Sequence, residues 1–131
     1  MKMKKIILLL LIFSVSYSFS FAQTGTTNKA KASYYHSKFN GRKTATGEIY
    51  RDHLLTAASN IYKLGTKLLV TNMRNGKSVI VTVNDRMATH IKGRVDLSRS
   101  AFNKIASLSS GVVHVVVEVI SNKTILTETE I

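Results

Sequence analysis

The chain reads as a mainly β protein, a small barrel carrying one well-marked short helix. Three observations predict it: several stretches rich in β-branched and aromatic residues, a hairpin signal between two of them, and one apolar stripe at helical spacing. There is no internal repeat and no low-complexity run that would point to another architecture.

The first residues, Met1-Lys2-Met3-Lys4-Lys5, lead into an apolar run from Ile6 to Phe13 and then to Ser20-Phe21-Ala22. Small residues at the last and third-last positions predict a secretory signal peptide over residues 1–22, cut after Ala22. The apolar run is shorter than the roughly 20 residues that a spanning helix needs. Cleavage would leave 109 residues, enough for one domain with a modest core. It would remove three lysines and no acid, so 16 basic residues face 7 acidic ones and the balance is +9. Such a charge predicts attraction to a polyanion, and outside the cytoplasm wall polymers and membrane surfaces stand ahead of nucleic acid.

With 0 cysteines the chain has no disulfide, no thiolate metal site and no acceptor for a lipid. The expectation is an exported monomer, periplasmic or secreted, with no stable membrane anchor. His36, His53, His90 and His114 show no metal-ligand spacing, so neither a metal nor another cofactor is expected.

Residues 23–30 are polar and threonine-rich, which predicts a flexible leader, and residues 121–131 read as a frayed tail. Between them, residues 32–36, 67–73, 78–84 and 112–120 have strand composition. Asn75-Gly76 predicts a tight type I′ hairpin between the second and third of these, because that dipeptide tolerates the two positive φ angles required. Ser98 is the expected N-cap of a helix, with Leu97 stapling to Phe102, and Ala101, Phe102, Ile105 and Ala106 form its apolar stripe. A second, weaker helical turn is expected over residues 54–59.

Two carboxylates stand where regular structure gives way to loop. Asp85 closes the alternating run Val79, Val81, Val83, and Asp96 stands just ahead of the helix, with Arg86 and Arg94 between them. Cleaving a glycosidic bond requires a proton on the leaving oxygen, so a paired carboxyl group that keeps its proton is suited to that chemistry. Each acid also has a purely structural reading. Asp96 could interact with the helix N-terminus, and Asp85 could tie down a turn.

Beyond these readings, the chain carries Ala32-Ser33-Tyr34-Tyr35, Phe39-Asn40-Gly41-Arg42, Thr44-Ala45-Thr46-Gly47-Glu48, Leu64-Gly65-Thr66, Val70-Thr71-Asn72, Asn75-Gly76, Asn84-Asp85-Arg86 and Asp96-Leu97-Ser98 in that order. In these it resembles the rare lipoprotein A family of septal-ring lytic transglycosylases, over residues 31–120. The resemblance implies a six-stranded double-psi β-barrel with one or two short helices. It also implies peptidoglycan glycan as substrate, often stripped of stem peptides. The implied activity is non-hydrolytic cleavage between N-acetylmuramic acid and N-acetylglucosamine, giving 1,6-anhydro ends.

By the same resemblance Asp96 is the expected general acid, with Asp85 beside it. A nearby Asp85 charge would raise the proton affinity of Asp96, whereas Arg86 and Arg94 would lower it. Glu48 and Asp52 match recurrent acids of the family and, with Arg86, are expected to contact substrate. Of Tyr34 and Tyr35, adjacent in a strand, one should point inward and the other outward; Tyr35 is the candidate to stack on a sugar ring.

Two departures matter. Ser59, itself expected to contact substrate, stands after Ala57-Ala58 where many members carry histidine, so a supporting base or hydrogen-bond donor of the family is missing, and Met87-Ala88 replaces the usual Gly-Pro after Asn84-Asp85-Arg86. Two other readings therefore accompany the enzymatic one: a non-catalytic, expansin-like wall-binding or wall-loosening module, and a basic protein that binds anionic polymers without specificity.

Overall fold

The computed structural model describes residues 27–120, so the expected signal peptide, the first part of the leader and the tail lie outside the described residues. Six strands close into a barrel: β1 (Thr27–Tyr34), β2 (Thr56–Ala58), β3 (Lys67–Asn72), β4 (Ser78–Asp85), β5 (Arg94–Leu97) and β6 (Val113–Val119). Around the barrel they run in the order β1, β5, β2, β4, β3, β6. β1 pairs parallel with β5 and β2 parallel with β4, and every other pairing is antiparallel. Closure removes all sheet edges, which suits a chain whose strands are mostly short.

Alternation explains the core. On β4, Val79, Val81 and Val83 are buried while Ile80 is exposed, and β3 (Leu68, Val70), β5 (Val95, Leu97) and β6 (Val115, Val117) supply the other inward rows. Burying each such side chain contributes about 1.5–3 kcal/mol. One helix, α1 (Arg99–Ile105), brings Ala101, Phe102 and Ile105, all fully buried, into the same core. Its N-cap is Ser98, whose Oγ accepts from the Ala101 N–H at 3.2 Å and donates to the Leu54 carbonyl. Leu97 and Phe102 share the core as the staple predicts.

Sequence and structure differ at four places. Residues 27–30, expected in the leader, belong to β1, where Thr27 to Ala30 pair with Glu118 to Val115 of β6; polar composition does not prevent a strand whose backbone is paired on a barrel wall. The stretch expected as a helical turn over residues 54–59 contains β2 instead, held between β4 and β5, because strand pairing on both sides outweighs the helical propensity of Ala57-Ala58. β5 is only four residues long and lies in what reads as loop.

The β3–β4 hairpin is not type I′. Within the turn Gly76 alone has positive φ (+72°), and among the described residues no non-glycine does, so Asn75 is not left-handed. The turn is instead set by side chains. Asn72 Oδ1 accepts from Arg74 N–H and Asn75 Oδ1 from Lys77 N–H, each at 2.9 Å. Both amide groups also donate to the Ile105 carbonyl, at 2.8 and 2.9 Å, capping the C-terminal end of α1.

Asn72 is thus a buried tie between hairpin and helix. Asn72→Ala should destabilise the fold by about 2 kcal/mol, since it removes one of the two donors to the Ile105 carbonyl and the acceptor of the Arg74 N–H, and lower the thermal midpoint by roughly 5–15 °C, read by circular dichroism; Asn75→Ala, more exposed, should cost less.

Candidate active site

On β5, Val95 and Leu97 point into the barrel, so Asp96 between them points out. Its neighbour on β1 is Ser33, on the opposite face from buried Ala32, and the Ser33 hydroxyl donates to Asp96 Oδ1 at 3.0 Å. Asp96 is a strand residue whose carboxyl bonds across strands. The helix is capped by Ser98, so the dipole reading of Asp96 does not describe what its carboxylate does.

Asp85 reaches the same face by an irregularity. Ala57 pairs with Val83 but Ala58 pairs with Asp85, so β4 carries one extra residue, Asn84, opposite β2. Regular alternation from inward Val83 would send Asp85 inward as well. The bulge re-aims it to the face of Ala58, which is also the partner of Asp96 across β5. The two acids therefore flank one alanine, with their Cα atoms about two strand spacings apart, roughly 9–10 Å. The bulge leaves Asn84 buried with its Oδ1 lacking a partner among the described residues.

Asp85 accepts three hydrogen bonds: from Tyr35 Oη at 2.7 Å, from Ala45 N–H at 2.9 Å and from its neighbour Arg86 N–H at 2.9 Å. The last of these is the local turn bond that the structural reading expects; the others bring in Tyr35, just past the end of β1, and the loop of residues 44–48. That loop is fixed by Thr44 N–H to Glu48 O at 2.8 Å and Thr46 N–H to Asn84 O at 3.2 Å. Glu48, exposed, is held beside it, its Oε1 accepting from Thr46 Oγ1 at 3.1 Å.

Over the outer face of Ala58 pack Tyr35 and Tyr50, stacked at 4.2 Å between centroids and 12° between planes, with Phe39 and Met87 against them. The Tyr50 hydroxyl donates to Asp52 Oδ1 at 2.8 Å. Burial and the adjoining carboxylates push both phenols well above the ordinary tyrosine range, so they remain proton donors. Asp96 is held above the ordinary carboxylate range, first by burial; the Ser33 hydrogen bond and the Arg94 charge pull it down, and the Asp85 charge pushes it up. Burial is the largest of these influences; of the two charges, that of Arg94 outweighs that of Asp85, so the rise comes from burial first and not from the neighbouring acid.

Three expected substrate contacts have partners within the protein. Tyr35 is 7% exposed, its ring covered by Tyr50 and Phe39, so it orients Asp85 and offers no open platform to a sugar; neither tyrosine of the pair points freely outward, because Tyr34 packs on Phe102 at 4.8 Å. Ser59 is 1% exposed, and its Oγ accepts from the N–H groups of Ile61 and Tyr62, at 3.2 and 3.4 Å. Arg86 donates through Nη1 to the carbonyls of Ser59 and Tyr62, which pins the loop after β2.

Asp52 is bonded to the other tyrosine of the pair, its backbone N–H donating to Asn40 Oδ1 at 3.1 Å and its carbonyl accepting from Ser100 N–H at 2.9 Å. The loop that carries Met87-Ala88 is organised by Asn60, which accepts from Met87 N–H at 2.9 Å and donates to the Ala88 carbonyl at 3.0 Å. Sequence reading misses Ser33, Tyr50, Ala58 and Asn60. Tyr50 alone carried a signal, a large aromatic two residues from an acid; the others are defined by cross-strand register, which no local pattern encodes.

The family model described as lytic transglycolase matches residues 27–117. A curated protein from Pasteurella multocida (strain Pm70) named endolytic peptidoglycan transglycosylase RlpA is 51% identical over 98 residues, 74% of this chain and 33% of that protein, so the chain spans about a third of its relative's length. Among solved structures, the Streptomyces papain inhibitor superposes with a TM-score of 0.61 at 24% identity, covering 73% of this chain and 96% of that one. An expansin of Clavibacter michiganensis superposes with a TM-score of 0.59 at 22% identity, covering 74% and 52%. With a closed six-stranded barrel and this match over nearly all of it, the chain belongs to the RlpA-like lytic transglycolase family of double-psi β-barrels.

Proposed function

We propose that this barrel is an exported endolytic transglycosylase that cleaves the bond between N-acetylmuramic acid and N-acetylglucosamine in peptidoglycan, with Asp96 as general acid. The observation that carries it is the pair of outward acids on either side of Ala58, one of them, Asp96, with raised proton affinity. The name of the relative from Pasteurella multocida supports the substrate class.

The chemistry follows from the residue types. Asp96 gives its proton to the glycosidic oxygen as the bond to the muramic acid C1 breaks, and positive charge builds on the ring. The Asp85 carboxylate, on the same face, stabilises that charge. The 6-hydroxyl of the same sugar then bonds to C1, and its proton passes to the Asp96 carboxylate, which regenerates the acid. No protein nucleophile and no water enter the bond-forming step. Tyr35 and Ala45 hold the Asp85 carboxylate, and Ser33 holds that of Asp96.

A second reading is favoured by Ser59. Its hydroxyl is spent on backbone amides, so the position where many family members carry histidine offers no base, and a barrel that binds glycan without cutting it is the alternative.

Digestion of isolated and of peptide-stripped peptidoglycan, with soluble products read by mass spectrometry, separates the two. The expected products carry 1,6-anhydro ends, and Asp96→Asn should lower their rate by about 10²–10⁴-fold with binding retained. Reducing ends would mean hydrolysis, and no product on either substrate would leave the binding module. If Asp85→Asn abolished cleavage while Asp96→Asn did not, the acid would be Asp85 and the assignment would be wrong.

The raised proton affinity of Asp96 also has a stability consequence. Between the unfolded pKa, about 3.9, and the higher native one, the native state binds more protons than the unfolded state, so stability falls as pH rises through that window. Above both values the whole cost persists. Asp96→Asn should therefore be more stable than the wild type at neutral pH, with the gap closing toward pH 3 to 4; urea melts across that range measure it. A gap that is constant with pH would count against a raised Asp96.

A further inference from the structure

We infer that the outer face of β1, β5 and β6 beside Asp96 is a subsite for a carboxylate carried by the glycan strand, built on the cross-strand row His114, Lys31 and Arg94. The inference rests on the glycan substrate proposed above.

Lys31 is the register partner of Arg94 on β5 and of His114 on β6. The adjoining Ala32, Val95 and Val113 pack inward, so the three basic side chains share the outer face. Lys29 lies two residues before Lys31 on β1, and Gly93, at φ +64°, turns the chain so that Lys92 reaches the same hollow. A cavity of about 760 Å³ opens there, and none of the described residues that line it is acidic. The acid of β6, Glu118, is in register with Thr27 at the other end of β1.

Like charges directly opposite one another on a sheet destabilise it, so a row of basic groups with no acid in its cavity costs folding free energy that a bound anion would return. The row is also placed for the reaction. Arg94 precedes Asp96 by two residues on β5, and Lys31 precedes Ser33 by two on β1, so the basic rung and the rung holding the acid are adjacent on one face, about 7 Å apart along the strands. A substrate whose scissile oxygen meets Asp96 would lay its neighbouring groups on this row. In peptidoglycan the anionic groups within that reach are carboxylates, of the muramic acid lactyl ether or of a stem peptide.

The test is binding to insoluble glycan in an Asp96→Asn background, where turnover cannot release the protein. The Lys31→Gln/Lys92→Gln pair, both exposed, should weaken adhesion to carboxylated glycan about tenfold at low salt. Its melting temperature should equal or exceed that of the parent, because like-charge repulsion is relieved. Glycan whose carboxyl groups have been reduced to alcohols should bind weakly and be indifferent to the substitutions. Loss confined to peptide-bearing glycan would assign the carboxylate to the stem peptide; loss on stripped glycan would assign it to the lactyl group. Unchanged adhesion of the double variant, full adhesion to carboxyl-reduced glycan, or equal dependence of a phosphate polymer on the two lysines would overturn the carboxylate subsite. Since adhesion is read without turnover, a wild type that yields no anhydro product would defeat the enzymatic proposal and leave this result interpretable.

Discussion

Ala58 is the common neighbour on which the site depends. It closes a three-residue strand zipped between β4 and β5, and its register partners are Asp85 on one side and Asp96 on the other. A methyl group there leaves room for the stacked rings of Tyr35 and Tyr50 to lie against the barrel wall, and from that stack the Tyr35 hydroxyl reaches Asp85. A larger residue would displace the rings, so the packing of one small side chain is coupled to the hydrogen bond that orients Asp85.

The bulge at Asn84 is the second half of that constraint. A regular strand would direct Asp85 into a core of valines, where an unpaired charge is prohibitively costly. One extra residue reverses its face and leaves Asn84 Oδ1 buried with no hydrogen-bond partner among the described residues. The two tyrosines then divide the acids around the site: Tyr35 orients Asp85 and Tyr50 orients Asp52. Arg86 and Asn60 act further out, fixing the loops that frame the face.

Much of the barrel was legible in the chain because its longer strands alternate cleanly; Val79, Val81 and Val83 announce β4, and Ser98 announces the helix. β2 and β5 were not, since three or four residues carry too little period to be told from loop, and Ala57-Ala58 favours helix when taken alone. The two acids were legible as chemistry and their closeness was not, since it arises from a bulge and from pairing to a shared strand. Tyr35, Ser59 and Arg86 show the limit of residue type, which tells what a group can bond to, while burial and competing partners decide what it does bond to. Tyr35 is covered by Tyr50, Ser59 is consumed by the amides that follow it, and Arg86 is drawn to two loop carbonyls.

The account turns on a carboxyl group at position 96 whose proton is held by burial and by a neighbouring charge. Carbon-13 NMR titration of the Asp96 carboxyl, in the wild type and in Asp85→Asn, measures this directly. The midpoint should lie above the ordinary aspartate value of about 3.9 and should fall when the charge at position 85 is removed. A midpoint at or below that value, or one unmoved by Asp85→Asn, would contradict the account.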